Sequence, residues 1–153
     1  MIRVQREDFD SGAELARFSQ GKTSVGGICL FVGLVRDYIG HDPAAGTPVQ
    51  AMTLEHYPGM TERQLEAIEA EARKRWPLED ALVIHRYGRL EPGDRIVLVA
   101  ASSAHRDAAF EACRFLIDWL KTKAPFWKVE HTQEGDAWVE AREADEDAAK
   151  RWE

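Results

Sequence analysis

Strand-length apolar runs that come in adjacent pairs, with helical segments between the pairs, predict an α+β fold with a mostly antiparallel sheet. Three observations carry this reading. Apolar, β-branched runs occur at residues 26–36, 49–57, 81–87 and 95–101. Turn signatures rich in Gly and Pro join consecutive runs, as at Glu91-Pro-Gly-Asp94. Two long segments, beginning near Thr61 and Ser103, instead repeat apolar residues at helical spacing. With 153 residues the chain is expected to form a single domain, 1–153, large enough to bury a core.

The elements follow in order. MIRVQ reads as a short opening strand. Ser11 and Glu14 fit a capping box at the start of a short helix. Residues 26–36 (GGICLFVGLVR) form a strand in which Gly33 marks a bulge or a close backbone approach. Residues 37–48 (DYIGHDPAAGTP) read as a polar loop, and residues 49–57 as a second strand. Thr61 and Gln64 suggest another capping box, followed by Leu65, Ile68, Ala72 and Trp76 on one face and a stop at Pro77. Strands at 81–87 and 95–101 precede the longest helix, 103–123, whose buried stripe is expected to hold Phe110, Cys113, Ile117 and Leu120. A hairpin of residues 126–131 and 137–141 turns at residues 133–136, and an acidic helical tail closes the chain.

Composition excludes several functional classes. The net charge of -7 and pI near 5.3 argue against broad nucleic-acid binding. Apolar runs are too short to span a bilayer, and the charged start MIRVQREDFD lacks a signal-peptide core, so a soluble cytoplasmic protein is expected. Cys29 and Cys113 form no CxxC and read as small core residues. The five histidines lack metal-ligand spacing, and no metal site is expected. Gly21-Lys-Thr23 resembles the end of a phosphate loop, but Ala16 stands where the first glycine is needed and no strand precedes it.

Two segments do suggest chemistry. KTKAPFWK, residues 121–128, gathers Lys121, Lys123 and Lys128 beside a helix-stopping proline and a Phe-Trp pair in an otherwise acidic chain. SSAHRD, residues 102–107, lies at a strand-to-helix junction, where open backbone amides, His105 and Arg106 suit an anion such as phosphate. Taken singly, each segment could equally be an ordinary solvated helix end.

Longer strings, in order, resemble the molybdopterin synthase catalytic (large) subunit, the MoaE family. They are LEHYPGM, ARKRWPL, VIHRYGRLEPGD, SSAHRDAAFEA, LKTKAPFWKVE, WVEAREAD and AAKRW, and the likeness runs from Gly26 onward. The resemblance implies an α/β hammerhead-type fold and a sulfurtransferase that needs no cofactor. Its substrate would be cyclic pyranopterin monophosphate, converted to the molybdopterin dithiolene. Sulfur would come from the thiocarboxylated C-terminal Gly-Gly of a small ubiquitin-like partner, within a heterotetramer centred on a homodimer of large subunits. Carried across by position, Lys121 and Lys128 become the two pocket lysines and are assigned catalysis. Arg36, His105, Arg106 and Glu130 become substrate-pocket positions. Leu34 stands where the family pattern has lysine.

Charge chemistry agrees, because phosphate, thiocarboxylate and departing carboxylate are all anions. Crowding by Lys123 and Lys128 would favour a neutral, reactive Lys121 amine, acting as acid/base or as nucleophile. Two other readings remain: a non-catalytic module that binds an anionic Gly-Gly tail, and a lysine Schiff-base enzyme acting on a small carbonyl compound. Geometry adds one expectation. Sixteen residues at about 1.5 Å each place His105 roughly 24 Å from Lys121, too far for one small pterin to bridge. A two-fold dimer with shared sites is therefore expected.

Overall fold

The computed structural model describes residues 1–40, 42–139 and 143–153. Elements run β1 (Ile2–Gln5), α1 (Ser11–Ser19), β2 (Gly27–Leu34), β3 (Tyr38–Ile39), β4 (Thr47–Pro48), β5 (Ala51–His56) and α2 (Met60–Arg75). Then come β6 (Leu78–Arg86), β7 (Gly88–Leu90), β8 (Arg95–Ser103), α3 (Arg106–Lys123), β9 (Phe126–Thr132), β10 (Gly135–Val139) and α4 (Glu143–Lys150). Two four-stranded sheets dominate, ordered β1-β6-β8-β2 and β10-β9-β5-β7. All their pairings are antiparallel except β1 with β6, so the α+β expectation holds.

The first sheet is covered on both faces, which explains the near-continuous apolar runs of β6 and β8. On one face α2 and α3 pack through Leu65, Ile68, Phe115, Leu116 and Leu120 onto Val83, Val97 and Val99. On the other, Phe9 and Phe18 cover Leu82, Ile84, Leu98 and Ala100. A smaller cluster of Val35, Met52, Leu54 and Leu90 sits beneath the second sheet. Among the described residues, no helix is long and apolar enough to cross a membrane.

Several local expectations need correcting. The cap of α1 is Asp10, whose carboxylate accepts from the Ala13 amide. Glu14 is buried instead and pairs with Arg3 and Arg17. The cap of α2 is Gly59, two residues before Thr61; its φ of 85° is open to glycine, and its amide donates to Glu62 at 2.6 Å. Thr61 is buried and donates back to the Tyr57 carbonyl. Ser102 and Ser103 still belong to β8, so α3 starts only at Arg106. Phe110 is 59% exposed, and Phe115 takes the buried place instead. Both the 37–48 loop and the β6–β8 connection contain short strands that the polar composition concealed. Ala141, expected in the last strand, lies outside the described residues.

The Gly33 expectation is met. Pairing of β2 with β8 shifts register between Gly33 and Leu34, and a Cβ on Gly33 would come within 2.7 Å of Val97.

Candidate functional site

The C-terminal end of α3 and the strand that follows it build the site. The helix stops at Ala124, whose amide reaches the Leu120 carbonyl, and Pro125 prevents its continuation. The chain then enters β9 with no intervening loop of length, so Lys121 and Lys128 face one cavity from two elements. Arg36 closes it from the end of β2, Glu130 from β9 and Asp145 from α4, with Met52 of β5 at its floor. This cavity measures about 140 Å³. A second one, about 380 Å³, shares Leu34, Arg36, Ile96, Lys121 and Lys128 and continues under Phe31, His85 and Phe126.

Each cation is held differently. Arg36 donates to the Gly40 carbonyl at 3.1 Å, and its guanidinium lies 4.9 Å from the centre of the Tyr38 ring. Lys121 is exposed on the last turn of α3, whereas Lys128 is half-buried in β9. Lys123 turns away: its ammonium sits 4.4 Å from the Trp119 ring and lines neither cavity. The expected crowding of Lys121 by Lys123 is therefore absent. Glu130 is buried at the cavity wall and brings an acceptor among the cations. Leu34, 53% exposed, makes an apolar rim where an ammonium would have stood.

His85, one of five histidines without metal-ligand spacing, also borders the site. Its ring stacks on Phe126 at 3.8 Å and 17°, and Nδ1 donates to the Arg86 carbonyl at 2.8 Å. A carbonyl only accepts, so in the neutral ring Nε2 carries the lone pair. Burial pushes its pKa down to about 3, with Lys128, His56 and Lys121 adding repulsion. The site thus contains a neutral aromatic wall beneath its cations. Strand alternation would have turned His85 inward with Val83, a signal that was available in the sequence.

His105 and Arg106 lie elsewhere. They open α3 at its other end, both exposed, and line neither cavity. The helix runs unbroken between the two ends. One copy of the chain therefore unites Arg36, Lys121, Lys128 and Glu130 and leaves His105 and Arg106 outside.

Lys22, in the segment that resembles the end of a phosphate loop, bonds Asp80 at 2.6 Å and lies over the Phe18 ring. Cys113 is buried with its thiol directed to the Val99 carbonyl, and burial together with Cys29 pushes its pKa up, away from a nucleophilic thiolate.

The chain is similar to known proteins along nearly its whole length. The family model described as "MoaE protein" matches residues 4–123, a span that ends before Lys128 and Glu130. The molybdopterin synthase catalytic subunit of Escherichia coli (strain K12) is 58% identical over 151 residues, covering 99% of this chain and 97% of its own. The protein of the same name from Pseudomonas aeruginosa is 54% identical over 152 residues, covering 99% and 98%. Among solved structures, the molybdopterin biosynthesis MoaE protein from Burkholderia ambifaria superposes with a TM-score of 0.82 at 49% identity, covering 99% of this chain and 97% of that one.

Proposed function

This chain belongs to the MoaE protein family, and on that premise we propose that it is the catalytic subunit of a molybdopterin synthase. It is a sulfurtransferase. The observation that carries the proposal is the convergence of Arg36, Lys121, Lys128 and Glu130 on one cavity from the segment after β2, from α3 and from β9. Such a cavity suits a reaction whose donor, acceptor and leaving group are all anionic.

In this reading a small ubiquitin-like partner delivers sulfur as a C-terminal Gly-Gly thiocarboxylate, which enters the cavity as an extended strand. Glycine is suited to that path because its backbone can pass where a side chain would be blocked. Lys128 holds the thiocarboxylate, and then the carboxylate left behind once the sulfur has bonded to the pyranopterin and water has cleaved the acyl–sulfur bond. Lys121 lies at the reacting carbon, serving as proton donor or as attacking amine. Cyclic pyranopterin monophosphate accepts the two sulfurs to become the dithiolene. Arg36 and Glu130 orient it, with the guanidinium taking the anionic end and the carboxylate a ring N–H. A positively charged, partly desolvated wall stabilises charge that builds up during transfer, with no nucleotide consumed.

His105 and Arg106 join this site from a second copy. Two large subunits form the centre of a heterotetramer in the cytoplasm, each supplying the phosphate-binding end of its α3 to the other.

The test is reconstitution. Thiocarboxylated Gly-Gly partner and the pyranopterin are incubated with this chain, and dithiolene formation is measured. Turnover supports the assignment. Binding of the partner without turnover would reduce the chain to a docking module, and borohydride trapping of a carbonyl adduct in its place would favour Schiff-base chemistry.

A further inference from the structure

We propose that His85 is a positioning residue for the tail of the sulfur donor. Its Nε2 accepts a hydrogen bond from the amide N–H joining the two terminal glycines and so fixes the thiocarboxylate before the lysines. This rests on the sulfur-transfer reading above, in which His85 has no task.

The first ground is the supply of donors and acceptors. The two cavities that meet at Lys121 and Lys128 differ in their walls. In the smaller one Glu130 and Asp145 can accept hydrogen bonds, which suits a polar pterin. The larger one is mostly apolar, with Phe31, Val97, Ile117, Leu120 and Phe126 on its wall. Its charged side chains, Arg36, Lys121 and Lys128, only donate. Among the described residues, His85 is the one side chain lining this cavity that can accept. An extended tail brings both carbonyls and N–H groups into such a space. Donors are plentiful for its carbonyls and its thiocarboxylate, but a desolvated amide N–H needs an acceptor or carries a penalty.

The second ground is geometry. His85 stands in the cross-sheet row His85, Val97, Gly33, which runs from β6 over β8 to β2. Gly33 has no side chain there, and a Cβ on it would meet Val97 at 2.7 Å, so the row stays low and leaves a passage above it. The Arg86 carbonyl takes the Nδ1 proton, which leaves Nε2, farther out from the backbone, for the cavity that the ring lines. Stacking on Phe126 at 3.8 Å fixes the plane of the ring. Phe126 and Lys128 point to the same face of β9 and are two strand steps apart, about 6.6 Å. A thiocarboxylate held by Lys128 therefore places the last amide of the tail within reach of the ring.

A third ground is charge. Burial keeps the imidazole neutral, so it offers a lone pair without competing with the lysines for the anion.

The test compares two forms of the small thiocarboxylated partner: one with the Gly-Gly amide, the other with an ester oxygen in place of that N–H. With the parent chain, the ester form should lose about three- to tenfold in kcat/KM, the worth of one neutral hydrogen bond. His85→Phe keeps the stack and removes the lone pair. It should lower kcat/KM for the amide form about tenfold or more, because the N–H is left buried and unpaired, and it should no longer favour amide over ester. His85→Gln, which retains an acceptor, should restore part of that preference. Equal rates for both forms with the parent overturn the hydrogen bond. So does a His85→Phe protein that loses activity but keeps the parental preference for the amide, since His85 would then act through the fold alone. If His85→Phe does not fold, His85→Met, a weak acceptor at most, takes its place in the comparison. A parent that binds the partner without turnover defeats the sulfur-transfer reading, and the affinities of the two forms then decide the hydrogen bond. A parent that does neither overturns both.

Discussion

The two ends of α3 make opposite use of similar chemistry. Both carry cations beside aromatic or open backbone groups, yet only the C-terminal end sits in a walled cavity, closed by β2, β9 and α4. At the N-terminal end His105 and Arg106 are exposed and line neither cavity. Surrounded by water, an anion gains little from exposed cations. The walled end can therefore do chemistry within one chain, whereas the open end needs a second surface before it can hold a phosphate.

The largest expected effect falls on the walled end. Lys121→Ala should lower the turnover of sulfur by about a hundred- to ten-thousandfold, the scale for losing a positioned acid/base group. Its melting temperature should match the parent, since Lys121 is exposed and no core packing is lost. Lys128→Ala should be severely impaired too. Near-parental rates from a folded Lys121→Ala protein would remove this lysine from the mechanism.

Next comes the helix between the ends. Phe115 is fully buried against Trp76, Trp119 and Trp152, so Phe115→Ala should cost about 3–5 kcal/mol in denaturant unfolding. Phe110→Ala should change stability by no more than about 0.5 kcal/mol. Equal losses would mean that Phe110 is covered in the assembled protein, by a partner that one chain does not show.

At the open end, Arg106→Ala should raise the KM for the pyranopterin by about ten- to a hundredfold, the worth of one charge-assisted hydrogen bond, with a smaller change in kcat. A fall in kcat alone, with KM unchanged, would place Arg106 at the reacting atoms and erase the contrast between the ends.

The smallest effect is a pH dependence of stability. His85 is held neutral, its pKa lowered to about 3 from an ordinary 6.5. The unfolded chain therefore binds a proton that the folded one refuses, and stability is lost as pH falls below about 6.5. Near pH 5 the loss should be about 2 kcal/mol, from 1.5 units at about 1.4 kcal/mol each. Asp8, Glu14 and Asp80, whose pKa values are lowered by Arg95, Arg3 and Lys22, also stabilise above their ordinary values, and their contribution fades only below about pH 4. His85→Gln should flatten the segment between pH 6.5 and 5 while leaving the acid limb in place. An unchanged profile there would mean that His85 is accessible to protons when folded.

Much of this was legible in the sequence, and the failures have physical causes. Strand pairs, the bulge at Gly33 and both long helices follow from side-chain period and turn chemistry, which are local. The caps differ from the sequence expectation because Asp10 and Gly59 act through a carboxylate and a positive φ, while the nearby Ser/Thr patterns mimic capping boxes. Spacing alone cannot say which of two overlapping stripes meets the sheet, and the neighbouring Trp residues select Phe115 over Phe110. Lys121, Lys128, Arg36 and Glu130 were chosen largely by family likeness, and their meeting in one cavity depends on the β9–β5 pairing, a contact remote in sequence. His85 went unnoticed because only the stack on Phe126 gives it a place in the site.

Whether the site is shared between copies is decided by mixing a His105→Ala protein, assayed below its raised KM, with an inactive Lys121→Ala protein. His105→Ala and Lys121→Ala variants are combined under conditions where subunit exchange is verified by mass, and sulfur transfer is assayed with the thiocarboxylated partner. In a hybrid dimer both lesions fall in one pocket and the other pocket is intact, so activity should return to about a quarter of the parental level, half of the dimers being hybrid with one good site each. Verified exchange with no recovery of activity would contradict the account and return His105 and Arg106 to the surface of a self-sufficient chain.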